Sequence, residues 1–190
     1  MRCFVALDLP VPVRNHLANV VRPMHGRYQV RWVEPEHMHA TLLFAGDIDD
    51  DTTDDLASIL DELPLGPMSL HLDQLGHFPP RGVPRVLWAG LGGDIEVVDA
   101  LQAELAERGE DLGIERDPRG FTPHVTLGRV KSPFGALALI DDLQELAAQL
   151  KPKPFAPTAL TLYASELLPS GPVYEVIATR PCPTAAADDA

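Results

Sequence analysis

Two four-residue segments of the chain share the pattern His-x-Thr-Leu. They are His39–Leu42 and His124–Leu127, and each opens a run of strand-forming residues. Because residues i and i+2 of a strand point to the same side, each segment presents one imidazole and one hydroxyl together. A single His-x-Thr would carry little information, but two matching copies are unexpected in a chain with seven histidines.

Two imidazoles and two hydroxyls are suited to phosphoryl transfer to water without a metal ion. Near neutral pH one imidazole can be neutral and act as the base, while the other is protonated and acts as the acid. The base takes a proton from water, and the acid protonates the departing ribose oxygen. Thr41 and Thr126 can donate hydrogen bonds to the non-bridging oxygens as charge develops. A strained cyclic phosphodiester is a plausible substrate for such a site.

Other functions for these histidines are weaker. Taken alone, either segment is more simply explained as an ordinary strand, because threonine favours strands and histidine often opens them. A zinc site would need further ligands, and the spacing of His37 and His71 matches no standard zinc motif. We therefore expect no metal and no cofactor.

The hydrophobic patterns predict the elements that position the two segments. One helix follows Pro12 and ends at Gly26, and another begins at a cap formed by Thr52 or Thr53 and ends near Leu63. Two further helices are predicted at 95–112 and 140–150. The predicted strands cover 3–9, 29–33, 39–44, 68–77, 84–91, 124–130, 158–166 and 173–179.

Paired strands separated by helices predict an α+β fold with largely antiparallel sheets. The spacing of the two His-x-Thr-Leu segments suggests an internal duplication. The expected architecture is bilobal, with two pseudo-symmetric lobes of antiparallel sheet and flanking helices around a central cleft. We expect one such domain over 1–180 and a disordered tail over 181–190.

Composition restricts the function further. The formal net charge is −13 with 15 Lys and Arg residues, which argues against a protein that coats nucleic acid. An acidic protein can still act on an RNA end if a local pocket concentrates positive charge around one phosphate. No apolar run of about 18 residues occurs, and the first ten residues do not form a signal peptide. We expect a cytoplasmic protein that does not contact membranes.

Several segments together resemble a known family, the two-histidine (2H) phosphoesterases. Within it, the chain is most similar to the RNA 2′,3′-cyclic phosphodiesterases first described as 2′-5′ RNA ligases. The segments that carry the resemblance are Arg2–Leu7, Arg31–Val33, His39–Leu42, Arg85–Trp88, Phe121–Arg129 and Gly171–Tyr174.

The resemblance implies a bilobal fold and metal-independent hydrolysis of 2′,3′-cyclic phosphates on RNA ends to 2′-phosphomonoesters. By motif match His39 would be the proton donor and His124 the proton acceptor, although chemistry alone does not assign the two roles. Two alternatives stay open. One is activity on small cyclic nucleotides or ADP-ribose cyclic phosphate, and the other is non-catalytic binding of phosphorylated RNA ends. We expect a monomer.

The substrate contacts around the motifs are less certain. Relatives often carry Arg before the Phe that follows the first motif, whereas this chain has Leu43 before Phe44. Arg129 is a candidate substrate-binding residue, yet simple alternation points its side chain away from His124. A bulge near Gly128 could re-aim it. Trp88 is predicted to belong to the core rather than to stack on a base.

Overall fold

The computed structural model describes residues 1–168 and 171–184. These residues form eight strands and four α-helices. The strands are β1 (Arg2–Asp8), β2 (Val30–Trp32), β3 (His39–Asp47), β4 (Leu70–Phe78), β5 (Val86–Gly93), β6 (His124–Val130), β7 (Ala159–Leu168) and β8 (Gly171–Pro181). The helices are α1 (Val11–Val21), α2 (Asp50–Glu62), α3 (Ile95–Asp111) and α4 (Ala136–Ala147).

The start of α2 differs from the prediction. Asp49 is the N-cap, and its carboxylate accepts a hydrogen bond of 2.9 Å from the backbone N–H of Thr52. Thr52 and Thr53 lie inside the helix, so the predicted threonine cap was wrong. The hydroxyl of Thr53 instead donates to the backbone oxygen of Asp49. An aspartate reaches the free N–H groups of the first turn as well as threonine does, and its charge suits a helix N-terminus.

All strands pair antiparallel in one sheet, in the order β4-β5-β6-β3-β1-β7-β8, with β2 paired to β6. The sheet has two halves that meet where β3 joins β6. One half contains β1, β3, β7 and β8, and the other contains β2, β4, β5 and β6. The predicted α+β fold with antiparallel sheets is therefore confirmed.

The order of elements repeats along the chain. The series β1-α1-β3-α2-β4 has its counterpart in β5-α3-β6-α4-β7. The last strand of each series pairs with the first strand of the other, β4 with β5 and β7 with β1. Helices α2 and α3 pack against the first half of the sheet, and α1 and α4 pack against the second. This exchange of strands ties the two halves together.

The end of the fold extends slightly further than predicted. Strand β8 includes Pro181, and the buried Cys182 donates its backbone N–H to the carbonyl oxygen of Thr158 at 3.0 Å. Of the predicted tail, 185–190 lie outside the described residues. Among the helices of the described residues, none combines the length and the apolar character that a membrane crossing requires.

Candidate active site

The two His-x-Thr-Leu motifs meet at the joint between the halves. Ala40 of β3 lies directly opposite Val125 of β6 in antiparallel register. Both of these side chains are buried on the helix-covered side of the sheet. Alternation then places His39, Thr41, His124 and Thr126 on the opposite side, where all four are partly exposed. One surface of the sheet thus carries two imidazoles and two hydroxyls.

Each motif also contains a β-bulge at its leucine. Along β1 and β3 the register passes from Ala6↔Thr41 to Val5↔Leu43, which leaves Leu42 as the extra residue. Along β5 and β6 it passes from Trp88↔Thr126 to Leu87↔Gly128, which leaves Leu127 as the extra residue. Both leucines are buried. A bulge shifts the alternation by one residue, so the residues beyond it change sides.

The bulge in β6 re-aims Arg129. Beyond Leu127, Arg129 lies on the same side of the sheet as His124 and is exposed. Its positive charge contributes to lowering the pKa of His124 and of Tyr174. The side chain is thus close to the histidine, as the possibility of a bulge near Gly128 had suggested.

Strand β2 brings a second arginine next to Arg129. Arg31 is the register partner of Arg129, and Trp32 is the partner of Gly128. A Cβ atom at position 128 would lie 2.7 Å from Cγ1 of Val30 and 3.1 Å from Cε3 of Trp32. Glycine at this position therefore permits β2 to approach β6. Arg31 also lowers the pKa of Tyr174, so positive charge collects at this edge of the site.

His39 lies in an aromatic cluster. Its ring stacks on Phe4 at 4.8 Å between centroids and on Tyr163 at 6.1 Å, and Tyr174 meets it edge-on at 5.6 Å. Burial among these rings lowers the pKa of His39 to about 4. A hydrogen bond with the backbone of His37 opposes this, and the charges of His37 and His124 add to it. The influence of His124 shows that the two imidazoles share one electrostatic environment.

Asp8 is the cross-strand partner of His39. Its carboxylate accepts hydrogen bonds from the hydroxyls of Thr161 at 2.7 Å and Tyr163 at 2.8 Å. Burial and the neighbouring Asp8 raise the pKa of the Tyr163 phenol well above its usual range. The phenol therefore stays protonated and continues to donate to Asp8.

The ring of His124 is oriented by its own backbone. Nδ1–H donates to the carbonyl oxygen of Thr122 at 2.7 Å, which leaves Nε2 as the nitrogen that can accept a proton. Phe78 contacts the ring edge-on at 5.1 Å, and Trp88 does so at 6.3 Å. Burial lowers the pKa of His124, the hydrogen bond to Thr122 opposes this, and the charge of Arg129 adds to it.

Trp88 is both a core residue and a neighbour of the site. It is 9% exposed, as expected for a core tryptophan, and its ring covers Gly76 of β4. A Cβ atom at position 76 would lie 2.4 Å from Cζ2 of Trp88. The contact with His124 is on the open side of the sheet.

The structure brings together all five residues that the sequence nominated, namely His39, Thr41, His124, Thr126 and Arg129. Sequence reasoning did not find the aromatic and carboxylate neighbours of His39, which are Phe4, Asp8, Tyr163 and Tyr174. Alternation along β1, which places Phe4 and Asp8 on one side, was a usable signal for two of them. Within the described residues, no group of three or more His, Cys, Asp or Glu side chains is arranged to hold a metal ion.

Comparisons with known proteins agree with this architecture. The family model described as LigT like Phosphoesterase matches residues 7–88 and 94–174. An RNA 2′,3′-cyclic phosphodiesterase of Archaeoglobus fulgidus is 32% identical over 177 residues, which cover 92% of this chain and 97% of the relative.

Two solved structures have the same fold. TT0787 of Thermus thermophilus superposes with a TM-score of 0.71 at 29% identity, covering 94% of this chain and 96% of that one. E. coli LigT complexed with 3′-AMP superposes with a TM-score of 0.73 at 26% identity, covering 95% and 97%. The chain therefore belongs to the LigT-like phosphoesterase family.

Proposed function

We propose that this protein hydrolyses 2′,3′-cyclic phosphates on RNA ends to 2′-phosphomonoesters, with His39 and His124 as a metal-independent acid–base pair. The observation that carries the proposal is the Ala40↔Val125 pairing, which puts both imidazoles and both hydroxyls on one side of the sheet. The name of the Archaeoglobus fulgidus relative supports the choice of substrate.

His124 is the general base in this mechanism. Its Nδ1–H is committed to the carbonyl oxygen of Thr122, so Nε2 carries the free lone pair. The lowered pKa keeps the ring neutral at neutral pH, which is the state that a base requires. Nε2 takes a proton from water as the water oxygen bonds to phosphorus.

His39 is the general acid, and it protonates O3′ of the ribose as the P–O3′ bond breaks. Because its pKa is about 4 in the free protein, this role depends on the substrate. A phosphodiester bound between the rings brings a negative charge, which favours the protonated imidazole and offsets the cost of burial. Substrate binding and protonation of His39 are therefore coupled.

The remaining groups act on the non-bridging oxygens. The hydroxyls of Thr41 and Thr126 donate hydrogen bonds to these oxygens, and Arg129 supplies a positive charge beside His124. Arg31 strengthens the positive potential at the same edge. This local charge, in a chain of net charge −13, favours contact with one terminal phosphate over contact with a long RNA backbone.

The proposal is tested with a short RNA that ends in a 2′,3′-cyclic phosphate, incubated with the protein in the presence and absence of EDTA. We expect a 2′-phosphate product that forms at the same rate in both. Loss of activity with EDTA would contradict the metal-independent mechanism. A mononucleoside 2′,3′-cyclic phosphate turned over equally well would favour the small cyclic nucleotide alternative.

Binding of the labelled RNA without any cleavage would favour the non-catalytic alternative. A cytoplasmic location and a monomeric state stay predictions from the sequence. Sedimentation of the purified protein tests the monomer, for which the calculated mass is 20.7 kDa.

A further inference from the structure

A pocket of about 370 Å³ opens beside His39, on the side away from His124. We call it the Asp8 pocket. The residues that matter here are Asp8, Arg14, His37, His39, Tyr163 and Tyr174, all of which line it. It combines aromatic walls with one carboxylate and one guanidinium, which is more polar chemistry than a site for phosphate alone requires.

Asp8 is held in place but retains capacity to accept hydrogen bonds. One carboxylate oxygen accepts from Tyr163 and the other from Thr161. A carboxylate has about four lone-pair sites, so each oxygen can accept a further bond. The two hydroxyls therefore fix the orientation of the carboxylate without saturating it.

Arg14 supplies a donor that the protein leaves unused. Its Nη1 donates to the carbonyl oxygens of Pro35 at 3.4 Å and Glu36 at 3.2 Å. Its Nε atom is buried and has no hydrogen-bond partner among the described residues. A buried donor without a partner is costly, and a ligand that accepts a hydrogen bond there would remove the cost.

We propose that the Asp8 pocket binds the base of the terminal nucleotide and selects guanine. Guanine is the RNA base with two neighbouring donors, N1–H and the N2 amino group, and a carboxylate can accept from both. Its O6 acceptor lies next to N1–H and would meet Arg14, a pairing with precedent in arginine–guanine recognition. Adenine would instead direct the lone pair of its N1 at the carboxylate, which is repulsive.

The position of the pocket fits a base attached to the reacting ribose. A 2′,3′-cyclic phosphate is fused to the sugar that carries the base, so the base must lie one sugar away from phosphorus. His39 lines the pocket and faces the phosphate site, and the rings of Tyr163 and Tyr174 offer surfaces for stacking. This inference rests on the proposed function for the placement of the phosphate.

Binding of product-like nucleotides tests the pocket independently of turnover. Calorimetry would compare guanosine, inosine and adenosine 2′-monophosphates on the wild-type protein. We expect guanosine 2′-monophosphate to bind roughly 10-fold to 100-fold more tightly than the adenosine compound. Inosine keeps N1–H and O6 but lacks the amino group, so it should bind with intermediate affinity. Equal dissociation constants for the three would overturn the proposal, whether or not RNA ends are opened.

A matched pair of variants tests the role of Asp8. In Asp8→Asn the carboxylate becomes an amide, and the guanine-to-adenine affinity ratio should fall towards one. Asp73→Asn alters an exposed aspartate on β4 and should keep the wild-type ratio. A wild-type ratio in folded Asp8→Asn would contradict the assignment. If that variant does not fold, the inosine comparison on the wild-type protein decides.

Discussion

Ala40 and Val125 lie directly opposite each other where the two halves of the sheet join. Each residue stands between the histidine and the threonine of its motif, so the antiparallel register carries His39 towards Thr126 and Thr41 towards His124. A slip of one residue between β3 and β6 would turn both imidazoles into the core. The geometry of the site therefore depends on the register of this backbone contact.

The pH dependence of the reaction should reflect two depressed histidines. The pKa values of His39 and His124 both lie below 6.5 in the free protein, that of His39 at about 4. Activity requires one ring neutral and one protonated, so kcat/KM should pass through a maximum below pH 6.5 and fall as the acid loses its proton. Rates measured from pH 4 to 9 would check this. A maximum above pH 7 would contradict it.

The burial of His39 should also make the fold sensitive to acid. The folded state favours the neutral ring, whereas the unfolded chain binds a proton below about pH 6.5. The stabilisation is therefore fully present above that pH and is lost as the pH falls towards 4. The loss is on the order of 3 kcal/mol for this residue. Urea unfolding at pH 7 and pH 4 should show a smaller drop for His39→Gln than for wild type. An equal drop in both proteins would refute the assignment.

Removing the charge at position 129 should affect both the histidine and the reaction. In Arg129→Gln the pKa of His124 should rise, because the nearby positive charge that disfavours protonation is gone. We expect kcat/KM to fall roughly 10-fold to 100-fold through loss of a charged contact to the phosphate. NMR titration of the His124 ring would measure the pKa. Arg119→Gln is the control, because Arg119 pairs with Asp117 at 2.6 Å. No change in Arg129→Gln would disprove the contact.

Gly128 should be intolerant of a side chain. In Gly128→Ala the new methyl group would meet Val30 and Trp32, which pushes β2 away from β6. We expect a loss of about 1–3 kcal/mol in the free energy of unfolding, as for overpacked cores. Gly66→Ala provides the comparison, since nothing lies within 4 Å of a Cβ atom there. Equal stability of the two variants would show that β2 does not need the glycine.

The positions of the strands and motifs could be predicted because they follow from short-range patterns. Alternation at Ala40 and Val125 identified which side of each motif strand is buried, and both residues are in the core. The cap of α2 was misassigned because Asp49, Thr52 and Thr53 are all plausible caps, and the choice depends on where the chain enters the helix.

The neighbours of the site depend on contacts that no local pattern encodes. Asp8 meets Tyr163 across 155 positions of sequence, through the pairing of β1 with β7. Arg129 reaches His124 because a bulge at Leu127 reverses the alternation, and whether a Gly-containing strand bulges depends on its partner strands. Pairing partners and bulges are tertiary properties, so these residues became visible only in the folded structure.

The central claim is that His39 and His124 act together on one phosphate. It is tested most directly by measuring kcat on an RNA with a 2′,3′-cyclic phosphate end for His39→Ala, His124→Ala and the double variant. His16→Ala, a histidine on α1 outside the site, serves as the control. We predict that each single replacement lowers kcat roughly 10²-fold to 10⁴-fold and that the double replacement costs little more. Near wild-type turnover in either folded single variant, or losses that multiply in the double variant, would contradict the account.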